Sequence, residues 1–355
     1  MKALHIHAGA QALAHLQRQG LQPHDIQMIP AAAGGPKGLI LSHLDRDLFG
    51  RWLPQAPAEH EVHLVGASIG AWRMGAALMP DPVQAFERLA HDYIHQDYPV
   101  EPGAKAPTPT AVSQGFAQAL HEFFGEHLPA MLSHPRWHLH VVTSRGMRWL
   151  QQGAPWGTRM GFAALTLGNF VSRQWVGQWL QRVVFSTVPL PLRLNDLPTA
   201  GTALTPENFT EAVRASCSIP FWLDPVCDIP GAPRGAHWDG GLVDYHFHWP
   251  YSQLQGLALY PHFQRQVIPG WLDKMVKWRH GPTPALGRLI VLAPNPAWVA
   301  TLPNGKLPDR NDFTGLSTPQ RHRDWQRAVA EAERLADEWR EWLLRGCPAH
   351  EVQPL

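Results

Sequence analysis

Between residues 26 and 82 an apolar run twice meets a glycine-bearing turn and then a helical stretch. Ile26-Gln27-Met28-Ile29 runs into Pro30-Ala31-Ala32-Ala33-Gly34-Gly35-Pro36-Lys37-Gly38, and Leu39 to Trp52 then places Leu39, Leu41, Leu44, Leu48 and Phe49 near one helical face. Val62–Val65 runs into Gly66-Ala67-Ser68-Ile69-Gly70, and Ala71 to Met79 reads as a helix closed by Pro80 and Pro82. Strand–turn–helix units in succession predict an α/β fold, a three-layer sandwich with a mainly parallel central sheet. Further strands are expected at His138–Thr143, Gly161–Leu167, Val183–Phe185 and Leu289–Leu292. The last is apolar throughout, as a strand covered on both faces should be. A short amphipathic helix, Ala10–Gln19, precedes the first unit and stops at Gly20.

The later chain predicts two additions. Residues 99–110 are rich in Pro, Ala, Thr and Lys and lead into a helical stretch, Ala111 to Leu132, so an insertion of about residues 99–135 is expected. After loop-like residues up to Ser317, Pro319 to Arg345 reads as one long helix. Its Trp325, Ala328, Ala332, Leu335, Trp339 and Trp342 recur at three- and four-residue steps, a stripe expected to lie on the body of the same domain. The division is thus a main domain over 1–315, with residues 316–355 packed on it.

Composition excludes some functions. A formal net charge of +1 leaves no basic excess to neutralise nucleic-acid phosphates. Three cysteines, Cys217, Cys227 and Cys347, are too few for a disulfide framework, and none has zinc-ligand spacing. Met1–Gly20 lacks a signal-peptide pattern, and no apolar run spans a bilayer, so a cytoplasmic location is expected. Peripheral membrane contact is compatible with it. The 16 tryptophans would make that contact better than the weak net charge could.

Three turns and one helix end carry chemistry. Gly66-Ala67-Ser68-Ile69-Gly70 has the G-x-S-x-G form of a nucleophile elbow, with the strand before and helix after that the elbow requires. Gly34-Gly35-Pro36-Lys37-Gly38 can bring main-chain N–H groups close to an oxyanion, although Pro36 cannot donate. It fits neither common phosphate-binding glycine pattern. His237-Trp238-Asp239-Gly240-Gly241 sets a carboxylate on a turn, where Asp239 can serve Ser68 as general base if the two meet. Ala215-Ser216-Cys217-Ser218 ends a helix of small residues suited to close packing beneath a site. Cys217 there reads as a small buried hydrophobe.

In this order the four segments resemble the patatin-like phospholipase family, over about residues 25 to 295. Ala33 stands where such loops often begin with glycine, and Leu242 to Pro250 departs from the usual continuation. The resemblance implies a lipid acyl hydrolase working in lipid degradation through a Ser–Asp dyad. Ser68 would be the nucleophile and Asp239 the base. Gly34, Gly35, Lys37 and Gly38 would form the oxyanion loop, joined by the N–H of Ile69. Gly66, Gly70, Gly240 and Gly241 would shape the turns. Trp72, Trp222 and Trp238, near these motifs, would line an acyl groove for a phospholipid or neutral lipid. The scheme needs no metal or organic cofactor.

Two other readings use the same residues. A Ser–His–Asp esterase of the α/β-hydrolase type would pair Asp224 or Asp239 with His246, His262 or His280. Against it, Ser68 follows very few strands, and the glycine loop directly precedes the nucleophile's own unit. A non-catalytic lipid- or protein-binding relative would not need the serine, the aspartate and the glycine loop together. Metal binding by His91 and His95, or by His246 and His248 on one strand face, lacks acidic or cysteine partners at recognisable spacing.

Overall fold

The computed structural model describes residues 1–97 and 108–355. It is an α/β fold around a mostly parallel sheet. Its strands are β1 (Leu4–Ala8), β2 (Ile26–Ala31), β3 (Val62–Gly66), β4 (Trp137–Gly146), β5 (Leu180–Ser186), β6 (Thr199–Ala203), β7 (Val226–Cys227), β8 (Ala236–Asp239), β9 (Leu257–Pro261), β10 (Leu289–Pro294) and β11 (Gln353–Pro354). They run in the order β11-β1-β10-β9-β2-β3-β4-β5-β6, with β8 branching onto β4 and carrying β7. From β10 through β9, β2 and β3 to β4 every pairing is parallel. β1 and β5 run antiparallel to β10 and β4. Every residue of β3 and β10 is buried, which explains why β10 reads as a continuous apolar run; β3 buries His63 as well.

The helices that bear on the site are α1 (Ala10–Gln19), α2 (Ser42–Asp47), α3 (Ile69–Ala76), α4 (Pro82–Ile94), α5 (Pro109–Phe124), α6 (Leu128–Leu132), α7 (Pro155–Val171) and α8 (Phe209–Cys217). The stretch Leu39–Trp52 is helical but not regular. A tight 3-10 turn over Gly35–Leu41 feeds α2, and a wider π turn over Leu48–Trp52 follows it. In the region of the expected insertion, α5 packs Phe116 and Phe123 edge-on against Trp72 of α3, and Phe124 against Phe209 of α8. The segment 98–107 lies outside the described residues.

Two expectations need correction. Gly161–Leu167 is not a strand but the middle of α7. Its buried residues (Phe162, Leu165, Asn169) and its exposed ones (Trp156, Met160, Leu167) each recur at helical spacing. Because both faces are apolar, the run imitates a buried strand. The C-terminal segment is not one helix but two, Thr318–Glu331 and Glu333–Leu344, separated at Ala332. All six residues of its apolar stripe are buried. Trp339 meets Trp52 edge-on at 5.4 Å, and the Glu338 carboxylate accepts the N–H groups of Ala3 and Leu4 at 2.8 Å. The stripe therefore covers the body of the chain and clamps β1.

A buried ion pair fixes the glycine loop relative to the elbow. Arg73 of α3 donates through Nε and Nη2 to the two carboxylate oxygens of Asp45 on α2, at 2.8 and 2.7 Å. Both residues are buried. Asp45→Ala should cost about 3–5 kcal/mol in a denaturant titration, because Arg73 would remain buried without its counter-charge. A loss below about 1 kcal/mol would reduce the pair to the worth of a surface contact.

Candidate active site

Two strands share one edge of β4 and run toward each other along it. β3 lies parallel to the first half of β4 and ends with Gly66 opposite Val141. β8 lies antiparallel to the next stretch and ends with Asp239 opposite Thr143. Their ends abut: a Cβ on Gly240 would sit 2.1 Å from the Val142 carbonyl oxygen and 3.0 Å from the Ala67 Cβ. Ser68 leaves the end of β3 and Asp239 the end of β8, so residues distant in sequence meet where the strands meet. Ser68 and Asp239 line the same cavity, and the Ser68 hydroxyl is near enough to the Asp239 carboxylate to pull its pKa down.

The elbow is strained and braced. Ser68 has φ 56° and ψ −130°, left-handed backbone that costs a non-glycine residue about 1–3 kcal/mol. Its N–H donates to the Ser216 hydroxyl at 2.9 Å, which itself donates to the Val142 carbonyl at 2.6 Å. The flanking glycines are required by space. A Cβ on Gly70 would lie 1.9 Å from the Ala31 carbonyl, and one on Gly66 would lie 2.4 Å from the Ala71 nitrogen. Ser216 belongs to the small-residue helix end noticed in the sequence, which carried no sign of this hydrogen bond. Its neighbour Cys217 is buried beside the Ser68 hydroxyl, and burial pushes its thiol well above the ordinary range. That environment opposes a thiolate nucleophile.

Main-chain hydrogen bonds hold Asp239 in place. One carboxylate oxygen accepts the Gly241 N–H at 2.7 Å, and its own N–H donates to the Ser218 carbonyl at 2.9 Å. Burial raises its pKa to about 6, against the lowering pull of the Gly241 N–H, Arg310, the Ser68 hydroxyl and Lys274. It is thus ionised at neutral pH yet more basic than an exposed carboxylate.

Possible oxyanion donors lie beside the serine. Gly34 and Gly35 open the helical run after the loop, and Ile69 is the first residue of α3. Among the described residues their N–H groups have no main-chain acceptor. Lys37 lies over the Phe263 ring, 4.0 Å from Asp309. Gly38 instead packs on Ile69 and Arg73, one step back from the serine.

Two cavities meet at Ser68. One, of about 350 Å³, is walled by Trp72, Tyr93, Phe116, Ile219, Trp222 and Phe313. The other, of about 330 Å³, holds Asp239, Gly34 and Gly241 together with Lys37, Lys274, Arg310 and Asp309. Trp72 and Trp222 therefore line a cavity as expected, but Trp238 does not. Side chains alternate along a strand, so with Asp239 turned to the site Trp238 faces the other way, buried edge-on against Phe162. Arg310 borders both cavities and was not foreseen, because it comes from the loop-like stretch after Pro294. Lys274 was not foreseen either. It lies exposed at the rim, its Nζ 4.2 Å from the Tyr245 ring centre. Desolvation by its neighbours, with repulsion from Lys37 and Arg310, lowers its ammonium pKa to about 8.

The histidines considered for a triad are engaged elsewhere. His246 Nδ1 lies 3.0 Å from the Gln266 carbonyl, His262 Nδ1 2.5 Å from that of Gln264, and His280 Nε2 2.7 Å from that of Asp273. Asp224 is on the surface and accepts the Thr110 hydroxyl. His246 and His248 lie outside any strand, so they share no strand face. Compared with models of known protein families the chain matches none, and it matches no curated protein.

A fluorophosphonate probe should label the wild-type protein and spare Ser68→Ala. With Asp239 as base, labelling should slow about tenfold for each pH unit below about 6, as the carboxylate takes up its proton. A rate unaffected by pH across that range would remove Asp239 from the base role.

Proposed function

We propose that the protein is a serine acyl hydrolase of the patatin-like type, cleaving lipid esters through a Ser68–Asp239 dyad. One observation carries this reading: a strained, glycine-flanked serine lies beside a buried carboxylate where two cavities join. Asp239 takes the Ser68 proton as the hydroxyl oxygen attacks the ester carbonyl. The N–H groups of Gly34, Gly35 and Ile69 are the nearest candidates to hold the oxyanion. As the tetrahedral intermediate collapses, the C–O bond to the alcohol breaks, and the alcohol leaves with the proton from Asp239. Water then gives a proton to Asp239 and attacks the acyl-Ser68 carbonyl. Ser68 recovers that proton as the fatty acid departs.

The two cavities suggest how the ester lies. The aromatic cavity suits an acyl chain. The other gathers three cationic side chains against the carboxylates of Asp239 and Asp309, and suits an alcohol bearing a negative group. This favours a phospholipid over a neutral lipid. The patatin-like three-layer arrangement belongs to the same proposal.

Ser68→Ala should abolish fatty-acid release from a chromogenic acyl ester, and Asp239→Asn should lower kcat by about 10²–10⁴-fold. Equal turnover by wild type and Ser68→Ala would favour a binding protein instead. Lys274→Met should raise KM for a phosphate-bearing ester and leave that for a neutral ester of the same chain unchanged. In the wild type this preference should fade above pH about 8, where Lys274 loses its charge. A preference independent of both the substitution and pH would take Lys274 out of substrate binding.

A further inference from the structure

Fourteen large apolar side chains are exposed among the described residues, and twelve of them fall in three segments: 149–175, 221–222 and 271–278. These segments are neighbours. Phe162 of α7 stacks edge-on against Phe221, and Asn169 of α7 donates to Asp273 at 3.1 Å. All three contribute to the wall of the cation-bearing cavity, through Phe162 and Thr166, Phe221, and Trp271. The apolar surface therefore surrounds the mouth of the candidate active site.

The helix α7 is the centre of this surface. It exposes Trp156, Arg159, Met160, Ala163, Leu167 and Phe170, an outward stripe at three- and four-residue steps with a single charge. Its opposite side packs Phe162 and Leu165 into the core. A helix apolar on both sides needs cover on both. Here the inner cover is the protein and the outer side is bare, 71 % exposed at Leu167 and 69 % at Trp156. A patch of this breadth marks an interaction site.

In α7 and the 271–279 loop the exposed charges have one sign, while the exposed Asp224 follows the 221–222 segment. Residues 149–175 contain no acidic side chain. Within 271–279 the only acid, Asp273, is buried and paired with Arg173 and Arg279. Arg159, Lys274 and Lys277 are exposed. Tryptophans stand among these cations, with Trp149 and Trp175 beside α7 and Trp278 next to Lys277. Amphipathic indoles with lysine and arginine suit the headgroup level of a bilayer. A protein interface would instead be depleted in lysine.

We propose that this face docks on a bilayer carrying anionic headgroups, seating α7 and the 271–278 loop in the interface and opening the cavity mouth onto lipid. The identity of the surface as lipid rests in part on the acyl-hydrolase reading, but binding is measured without turnover. The chain as a whole is nearly neutral, so the attraction comes from where the charges sit.

The test is co-sedimentation of Ser68→Ala with vesicles of phosphatidylcholine alone and of phosphatidylcholine with phosphatidylglycerol. Binding is expected to be stronger to the mixed vesicles, with a blue shift of tryptophan fluorescence. Adding Leu167→Glu and Phe170→Glu should weaken it by about tenfold or more, since both side chains would leave the apolar interface. In the otherwise wild-type chain the same pair should leave the denaturation midpoint and turnover of a soluble short-chain ester unchanged, because neither residue lines a cavity. Absence of vesicle binding by the parent, or binding unaffected by the two glutamates, overturns the proposal. So does a dimer in solution that the two glutamates dissociate, which would assign the face to a second copy of the chain. An inert short-chain ester with intact vesicle binding would count against the hydrolase reading alone.

Discussion

The site depends on a shared strand edge. One side of β4 is long enough for two partners end to end, and β3 and β8 occupy it from opposite directions. Their facing ends release Ser68 and Asp239 into one small volume. Everything around that meeting point is arranged so that the two ends can touch. Gly66 and Gly70 let the elbow fold back on its own helix and on the Ala31 carbonyl, and Gly240 admits the Val142 carbonyl. Ser216 links the Ser68 amide to the same Val142 carbonyl, so the serine is tied to the strand both partners share. The ion pair between Asp45 and Arg73 then holds the glycine loop against the elbow helix.

This explains which parts of the site were legible in the sequence. Ser68, the glycine loop and Asp239 sit in short turns whose residue types are dictated locally, by positive φ, close approach or a capping carboxylate. Such demands leave a mark within five or six residues. Arg310, Lys274 and Ser216 obey no local rule. Their positions follow from where distant loops are carried, and a lysine or arginine in a loop looks the same at a cavity as in solvent. Trp238 shows the converse error. Being next to a motif residue placed it near the site in sequence, while strand alternation turned it away. For the fold, β10 was legible as a continuous apolar run and β2 and β3 as short apolar stretches ahead of glycine turns, whereas the central parallel strand β9, equally apolar and buried, was not foreseen. The helix α7 was misread because an apolar run records that a segment is covered or coverable on all sides, not which backbone it has.

The abundance of histidine receives a structural account. His63 Nδ1 and His140 Nε2 are 2.9 Å apart across β3 and β4, and the other His140 nitrogen is 2.8 Å from the Ser186 hydroxyl. Burial pushes both imidazoles down, so they are neutral and can act as donor and acceptor in turn. His246 and His262 are also buried and touch edge to face, but they lie outside the strands, each with Nδ1 at a main-chain carbonyl and Nε2 without a partner among the described residues. Their low pKa removes the charge that would otherwise make burial costly.

The proposed dyad has no histidine, and that places a particular demand on its carboxylate. An exposed aspartate is too weak a base to take a serine proton, while a carboxylate buried without support would stay protonated at neutral pH. Asp239 lies between these limits because two opposing influences act on it together. Burial raises its affinity for a proton, and the Gly241 N–H and the cations Arg310 and Lys274 restrain that rise. The same cations face the cavity proposed for the leaving group. On that reading they have two roles: they keep the base ionised in the free protein, and they attract the charged half of the substrate. An anionic group arriving beside them would partly cancel their pull on Asp239. The carboxylate would then become a stronger base at the moment Ser68 must be deprotonated, so that occupancy of one cavity would prime the chemistry at its junction with the other.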